Sequence, residues 1–282
     1  MQTIRRRPQW VAGQGGRIAT RAADGHIARM TVELHAFTCG HITLPSAFLL
    51  TKTRGWLTVP VPPYLIVHPK GSVLFDSGMS MAAQADATAY LGADGAKSNV
   101  IDFKPGEEVA ARLKAIAIEP DRITHVVNSH LHYDHAGGNA QTPNATVVVQ
   151  AAEWSHAMSC PDHDVAYHRA DFDTGQRVSR VSGEHDLFGD GTVTCIPTNG
   201  HTPGHQSLRV KAEKGEFVLC GDACYLRQSL EQLHLPGIVH DRDAALNAFH
   251  WFRDMQTKGY RLMFGHDAEF WKTIPQGAER LG

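Results

Sequence analysis

The sequence predicts an α/β fold in which two sheets pack together and helices cover their outer faces. Three features predict it. Short β-rich runs lead each half of the chain, amphipathic helical patterns close each half, and no Pro/Ser/Gly-rich linker separates the two. A chain of 282 residues with 42% hydrophobic residues has enough apolar material for one large core, so disorder is not the default reading.

Residues 1–29 are rich in Arg and Gly and lack apolar periodicity. They read as a flexible N-terminal extension, with Met30 a candidate initiator and residues 30–282 a single domain. Strand-like text begins at 31–37. Runs at 64–67 and 72–75 flank Pro69-Lys70-Gly71 and read as a hairpin. Residues 107–116 fit a helix with Val109, Leu113 and Ile116 on one face and Pro120 beyond its end. A buried strand is expected at 123–127, another at 146–150, and a helix at 151–158. In the second half, strands are expected at 192–196, 206–210 and 216–220. A helix at 243–255 buries Ala245, Phe249 and Phe252, and a last strand at 261–264 runs into Gly265-His266.

Composition narrows the function. A formal charge of −2 offers no basic stripe for nucleic acid. No apolar run approaches the roughly 18 residues of a membrane span, and Arg5, Arg6 and Arg7 are not followed by the apolar core of a secretory signal. Five cysteines, an odd and scattered set, point to reduced thiols and a cytoplasmic location. The 18 histidines are the unusual count and direct attention to clusters.

The densest cluster is HLHYDH at 130–135, followed by Ala136-Gly137-Gly138. In an extended segment His130 and His132 point the same way and can reach one ion; the chain then turns, and Asp134 and His135 can face a neighbouring position. Imidazole and carboxylate donors suit Zn²⁺, although Fe, Mn or Co accept the same set. The two glycines permit close backbone approach behind the ligands. A polar loop with unrelated histidines is the plain alternative, but burying several unpaired imidazoles together is costly. GHTPGH at 200–205 adds a histidine after a Pro-Gly turn, Asp222 follows a strand, and His266 ends another.

This ordered set, from about Met30 to His266, resembles the metallo-β-lactamase superfamily. The resemblance implies a four-layer αβ/βα sandwich with two divalent metal ions between the sheet edges. By position, His130, His132, His205 and Asp222 would hold one ion. Asp134, His135 and His266 would hold the other, with Asp222 shared and His201 a structural turn residue. Two ions roughly 3.5–4 Å apart can bring a bridging water to a pKa of about 7, so that metal-bound hydroxide attacks a carbonyl without a serine or cysteine.

The fold hosts many hydrolases, so substrate must be read elsewhere. Tyr225, three residues after Asp222, and GHTPGHQSL at 200–208 are similar to the N-acyl homoserine lactonases. That similarity implies a phenol hydrogen-bonding the lactone carbonyl and an Asp134 that passes a proton to the departing ring oxygen. Tyr133 would line the pocket mouth; related lactonases often carry phenylalanine there, which leaves the acyl preference open. Asp76, in FDSG at 75–78, resembles the family's strand-end Asp-Thr-Gly and reads either as a partner orienting a histidine or as an ordinary turn residue. Cys220 and Cys224 flank Asp222 and read as small buried residues.

The expected activity is therefore lactone hydrolysis, with N-acyl homoserine lactone as substrate and quorum quenching or detoxification as the role. The alternatives are a lactonase for another small lactone or a glyoxalase II-like thioester hydrolase. The latter usually carries a sizeable helical segment after its last ligand histidine, where this sequence has only 267–282. A β-lactamase fits the Asp-x-x-Tyr pattern less well, an iron redox protein would call for a flavin partner domain, and a non-catalytic scaffold would not need every ligand position filled. Partners beyond a small molecule are not expected, neither nucleic acid nor membrane. Monomer and homodimer both remain open.

Overall fold

The computed structural model describes residues 31–161 and 164–282; the expected extension at 1–29 lies outside them. The strands are β1 (Glu33–Ala36), β2 (His41–Pro45), β3 (Trp56–Pro60), β4 (Tyr64–His68), β5 (Gly71–Phe75), β6 (Val100–Asp102), β7 (Ile123–Val127), β8 (Thr146–Gln150), β9 (Val178–Val181), β10 (His185–Asp186), β11 (Val193–Pro197), β12 (Gln206–Ala212), β13 (Gly215–Leu219) and β14 (Arg261–Met263).

Six strands form one sheet in the order β1-β4-β5-β7-β8-β9, and five form a second in the order β10-β11-β12-β13-β14. The hairpin expected around Pro69-Lys70 is present, with Tyr64 opposite Phe75 and His68 opposite Gly71. From β5 through β9 the strands run parallel. Such strands are covered on both faces, which explains the apolar run Val147–Val149 in β8 and the buried Val126 and Val127 that end β7. The second sheet is antiparallel except where β14 joins β13 in parallel.

The two sheets face each other across one core. Leu34, Ile66, Phe75, Val127 and Val148 from the first meet Leu208, Phe217, Leu219 and Met263 from the second. The helix Val109–Lys114 covers the outer face of the first sheet through Val109 and Leu113 against Leu65, Leu74 and Val126. The helix Arg242–Thr257 covers the second, seating Ala245, Phe249 and Phe252 against Val218, Leu262 and Phe264. Its start is fixed by Asp241, whose Oδ1 accepts from the backbone N–H groups of Asp243 and Ala244 at 3.0 Å each. Helix, sheet, sheet and helix make the four-layer sandwich expected from the sequence.

A third sheet, β3-β2-β6, was not expected. Its strands are short, β3 exposes Trp56 and Leu57, and β6 has only three residues, so the period-two signal is faint. The helix Ala87–Ser98 is also absent from the sequence reading. It buries only Leu91 and Gly95, and Gly92 breaks it with φ 70°. This third sheet packs Ile42, Leu44 and Val59 in one cluster with Tyr133 and Tyr225, and so walls one side of the histidine-rich region. Among the described residues, no helix is long and apolar enough to cross a membrane.

Phe217 lies fully buried between the two sheets. Phe217→Ala should lower the unfolding free energy by about 3–5 kcal/mol, through lost burial and the cavity left behind. Equilibrium urea unfolding followed by tryptophan fluorescence checks this, and a change below about 1 kcal/mol would contradict the assigned core.

Candidate metal centre

Strand β7 delivers the chain into a loop of buried polar groups. Asn128 donates to the carbonyl of His135 at 3.0 Å, and Ser77 donates to the same carbonyl from its backbone N–H at 2.8 Å and its hydroxyl at 3.1 Å. The end of β5 is thereby stitched to the HLHYDH segment. The glycines behind it are needed for closeness: a Cβ on Gly138 would stand 2.1 Å from the Ser77 carbonyl oxygen, and one on Gly137 2.4 Å from the Ser80 nitrogen. His132 is extended (φ −67°, ψ 157°) and caps the short helix Tyr133–Ala136. His130 and His132 therefore project before the helix, and Asp134 and His135 from its first turn.

Two groups of donor atoms result. Suitable atoms of His130, His132, His201 and Asp222 lie within 4.8 Å of one another, as do those of Asp134, His135 and His266. His201 Nε2 stands 3.2 Å from both His130 Nε2 and His132 Nδ1. Asp222 reaches both groups. Its Oδ2 is 3.5 Å from His201 Nε2 and 3.7 Å from His130 Nε2, while its Oδ1 is 3.2 Å from His135 Nε2 and 3.1 Å from His266 Nε2. Asp134 Oδ2 closes the second group at 3.5 Å from His135 Nε2 and 3.6 Å from His266 Nε2.

The histidine expected from GHTPGH is corrected. His205 stays outside both groups because its two ring nitrogens are already engaged. Nδ1 pairs with the Thr198 hydroxyl at 2.9 Å, and Nε2 accepts from the backbone N–H groups of Asp222 at 3.0 Å and Ala223 at 3.3 Å. His205 directly precedes β12 and holds the Asp222 turn, whereas His201, taken as a turn residue, stands out in the loop and faces His130 and His132. The motif offers two histidines, and its spacing does not choose between them. Adjacency to a strand start was the available signal.

The far nitrogens of His135, His266 and His201 are also engaged. Asp76, at φ 58° after β5, accepts from His135 Nδ1 at 2.9 Å, from the Ser129 N–H at 2.7 Å and from the Ser129 hydroxyl at 2.9 Å. It is the histidine-orienting residue, not a plain turn aspartate. His266 Nδ1 donates to the Pro60 carbonyl at 2.8 Å, and His201 Nδ1 pairs with the Tyr225 hydroxyl at 3.0 Å. Such outer contacts fix ring orientation and tautomer.

Burial pushes His132 down to about 3 and holds His130 and His201 below their ordinary values, so these imidazoles are neutral and ready to donate a lone pair. Burial also works against a charged His135 or His266, but Asp222 outweighs it with help from Asp134, and both stand above the ordinary histidine value. Burial would raise Asp222, yet His135 and His266 hold it well below the carboxylate range. The buried His135 Nε2 and Asp222 Oδ1 stand close as an ion pair but are not aligned for a hydrogen bond to each other or to any other group. Two orphaned atoms in a nitrogen- and oxygen-rich donor set, bridged by one carboxylate, fit a pair of divalent ions.

A cavity of about 310 Å³ opens onto both groups and is lined by His132, Asp134, His201, Asp222, Tyr225 and His266, with Tyr133 on its wall. Tyr133 is buried rather than at the rim, its ring 6.1 Å from that of Tyr90. Burial, then Asp222 and Asp134, raise the Tyr225 phenol well above its ordinary value, so it stays a donor. Cys220 and Cys224 are buried with thiols pushed up by burial, and neither joins a donor group. The sequence reading also passed over Glu153, a fully buried glutamate beside the histidines.

The family model described as the metallo-beta-lactamase superfamily matches residues 57–266. The chain is 34% identical over 230 residues to the N-acyl homoserine lactonase AttM of Azorhizobium caulinodans, spanning 77% of this chain and 85% of that protein. It is 29% identical over 215 residues to the N-acyl homoserine lactonase AiiA of Bacillus thuringiensis subsp. kurstaki, spanning 76% and 83%. Among solved structures, an N-acyl homoserine lactone hydrolase with the product N-hexanoyl-L-homoserine bound at its catalytic metal centre superposes with a TM-score of 0.81 at 27% identity. That match covers 89% of this chain and 100% of the other.

With no ion bound, the neighbouring carboxylates favour the protonated form of His135 and, in the same direction, of His266, and an ion must displace such protons to reach the nitrogens. Zn²⁺ binding at pH 7 should therefore release about one or two protons per chain, and affinity should strengthen as pH rises. Titration in weak buffer with a pH indicator measures this; binding without proton release would contradict the electrostatics described.

Proposed function

The chain belongs to the metallo-β-lactamase superfamily, and from that premise we propose that it is a metal-dependent hydrolase that opens N-acyl homoserine lactones, a quorum-quenching activity. The observation that carries the reading is the placement of Tyr225. Its buried phenol lines the cavity beside both donor groups and is held 3.0 Å from His201 Nδ1. The same cavity is lined by Ile42, Leu44 and Phe48, an apolar surface suited to an acyl chain. Relatives named N-acyl homoserine lactonases, of which this chain spans most of the length, support the same substrate class.

We assign His130, His132, His201 and Asp222 to one ion and Asp134, His135, His266 and Asp222 to the other, with Zn²⁺ favoured by the donors. When bound, such a pair supplies a water acidic enough to attack at neutral pH and a Lewis acid for the carbonyl. The protein does the rest. Tyr225 donates to the lactone carbonyl oxygen as negative charge gathers there. Asp134 receives the proton lost by the attacking water and delivers it to the ring oxygen as the carbon–oxygen ester bond breaks, giving the open-chain hydroxy acid. Tyr133 and the apolar wall hold the acyl group. Residues 30–282 act as one hydrolase domain, and the five free cysteines support a reducing, cytoplasmic setting.

A pH-stat assay of Zn²⁺-loaded protein should show acyl homoserine lactones turned over ahead of other lactones, a glutathione thioester and a β-lactam. Preference for the thioester by orders of magnitude would overturn the reading. Tyr225→Phe, assayed at saturating metal, should lose about 100-fold in kcat. Because the phenol also holds His201, metal content is measured alongside, and unchanged turnover at full metal would remove Tyr225 from the mechanism.

A further inference from the structure

Glu153 lies on the first turn of the helix Ala151–Ser159, yet it is fully buried. An acidic side chain near a helix start is favourable on the surface, and that benefit needs no burial. Here the carboxylate instead meets four donors. Oε1 accepts from the Leu131 N–H at 3.1 Å and the Tyr167 hydroxyl at 2.9 Å; Oε2 accepts from the Thr202 hydroxyl at 2.6 Å and the Gly204 N–H at 3.2 Å. Burying a carboxylate is costly and is tolerated only with this degree of satisfaction.

The donors come from three separate segments, and each lies beside a histidine of the same group. Leu131 sits between His130 and His132, and Thr202 follows His201. The Tyr167 ring packs edge-on against His132 with centroids 4.6 Å apart. Gly204 shows how close the contact is, since a Cβ there would stand 2.1 Å from the Glu153 nitrogen. From the other side the loop is held by backbone contacts that do not involve Glu153: the Gly200 carbonyl accepts from the His240 N–H at 2.7 Å and the Asp241 N–H at 2.9 Å, and the Thr202 carbonyl accepts from the Gly200 N–H at 3.1 Å. The second donor group is anchored differently, through Asp76 on His135 and the Pro60 carbonyl on His266.

We propose that Glu153 is a positioning residue that clamps the HLHYDH loop to the GHTPGH loop and thereby sets the affinity of the His130–His132–His201 group for its ion. The inference rests on the metal assignment made above. Glu153→Gln sets an amide NH₂ against one backbone N–H, that of Leu131 or of Gly204, and obliges the hydroxyl beside it to turn and accept, which loosens the clamp without removing volume.

The test is a competition titration with a chromophoric chelator and Zn²⁺ that resolves two dissociation constants. His201→Ala identifies the constant of the three-histidine group, and His266→Ala that of the other. Glu153→Gln should weaken the first about 10–100-fold and leave the second within about threefold. Thr202→Val, which removes a single donor, should shift the same constant in the same direction by less. Equal weakening of both constants, or neither, would overturn the proposal. If Glu153→Gln does not fold, an unaltered first constant in Thr202→Val overturns it. A wild-type chain that binds fewer than two ions would instead sink the metal assignment and this inference with it.

Discussion

The arrangement depends on one buried carboxylate divided between two sets of imidazoles. Asp222 sends Oδ2 toward His130 and His201 and Oδ1 toward His135 and His266, so one side chain faces both donor groups. A carboxylate in this position is unfavourable unless its charge is balanced and its backbone fixed. The balance comes from His135 and His266. The backbone is fixed by His205, which accepts from the N–H groups of Asp222 and Ala223. Room for the turn is made by glycines: a Cβ on Gly221 would lie 2.8 Å from His205 Nε2, and one on Gly265 2.4 Å from the Gly221 carbonyl oxygen. His205 thus contributes by holding the turn that carries Asp222.

Much of this was legible because the informative residues fall where local patterns are strong. The hairpin of β4 and β5 was given by its turn, and β7, β8 and the helix Arg242–Thr257 by their apolar patterns. HLHYDH was legible because its donors are nearly consecutive, and Asp222 and His266 because each follows a strand in the second sheet. The third sheet was not legible, since its short strands carry exposed Trp56, Leu57 and Val100 where alternation would be sought. Contacts that depend on long-range packing were hidden for a different reason. Nothing local distinguishes His201 from His205, and Glu153 sits in a helical run whose neighbours already explain the helix.

The two halves of the sandwich divide the work. The first sheet, through the segments that follow β5, β7 and β8, supplies Asp76, HLHYDH and Glu153; the second, through those that follow β11, β13 and β14, supplies His201, Asp222 and His266. Ligands usually bind beyond the carboxyl ends of parallel strands, and here the ends of β5, β7, β8, β13 and β14 converge in that sense. The apolar core between the sheets therefore does more than stabilise the chain. Phe75, Val127 and Leu219 end the strands that lead to Asp76, HLHYDH and Asp222, and their burial in a single cluster fixes the distance between the donor groups.

That division explains why the polar contacts around the donors are so complete. An imidazole that can rotate about its side-chain torsions presents a lone pair only part of the time, and ordering it on metal binding weakens affinity. Asp76, the Pro60 carbonyl and the Tyr225 hydroxyl remove that freedom from His135, His266 and His201 in advance. Tyr225 is the most consequential of the three, because the hydroxyl that orients His201 is also the donor aimed into the cavity. Recruiting that hydroxyl to a substrate carbonyl alters the support of a donor histidine at the same moment. Under the proposed mechanism metal affinity and substrate binding would be coupled through a single phenol, a link that phenylalanine at this position could not make.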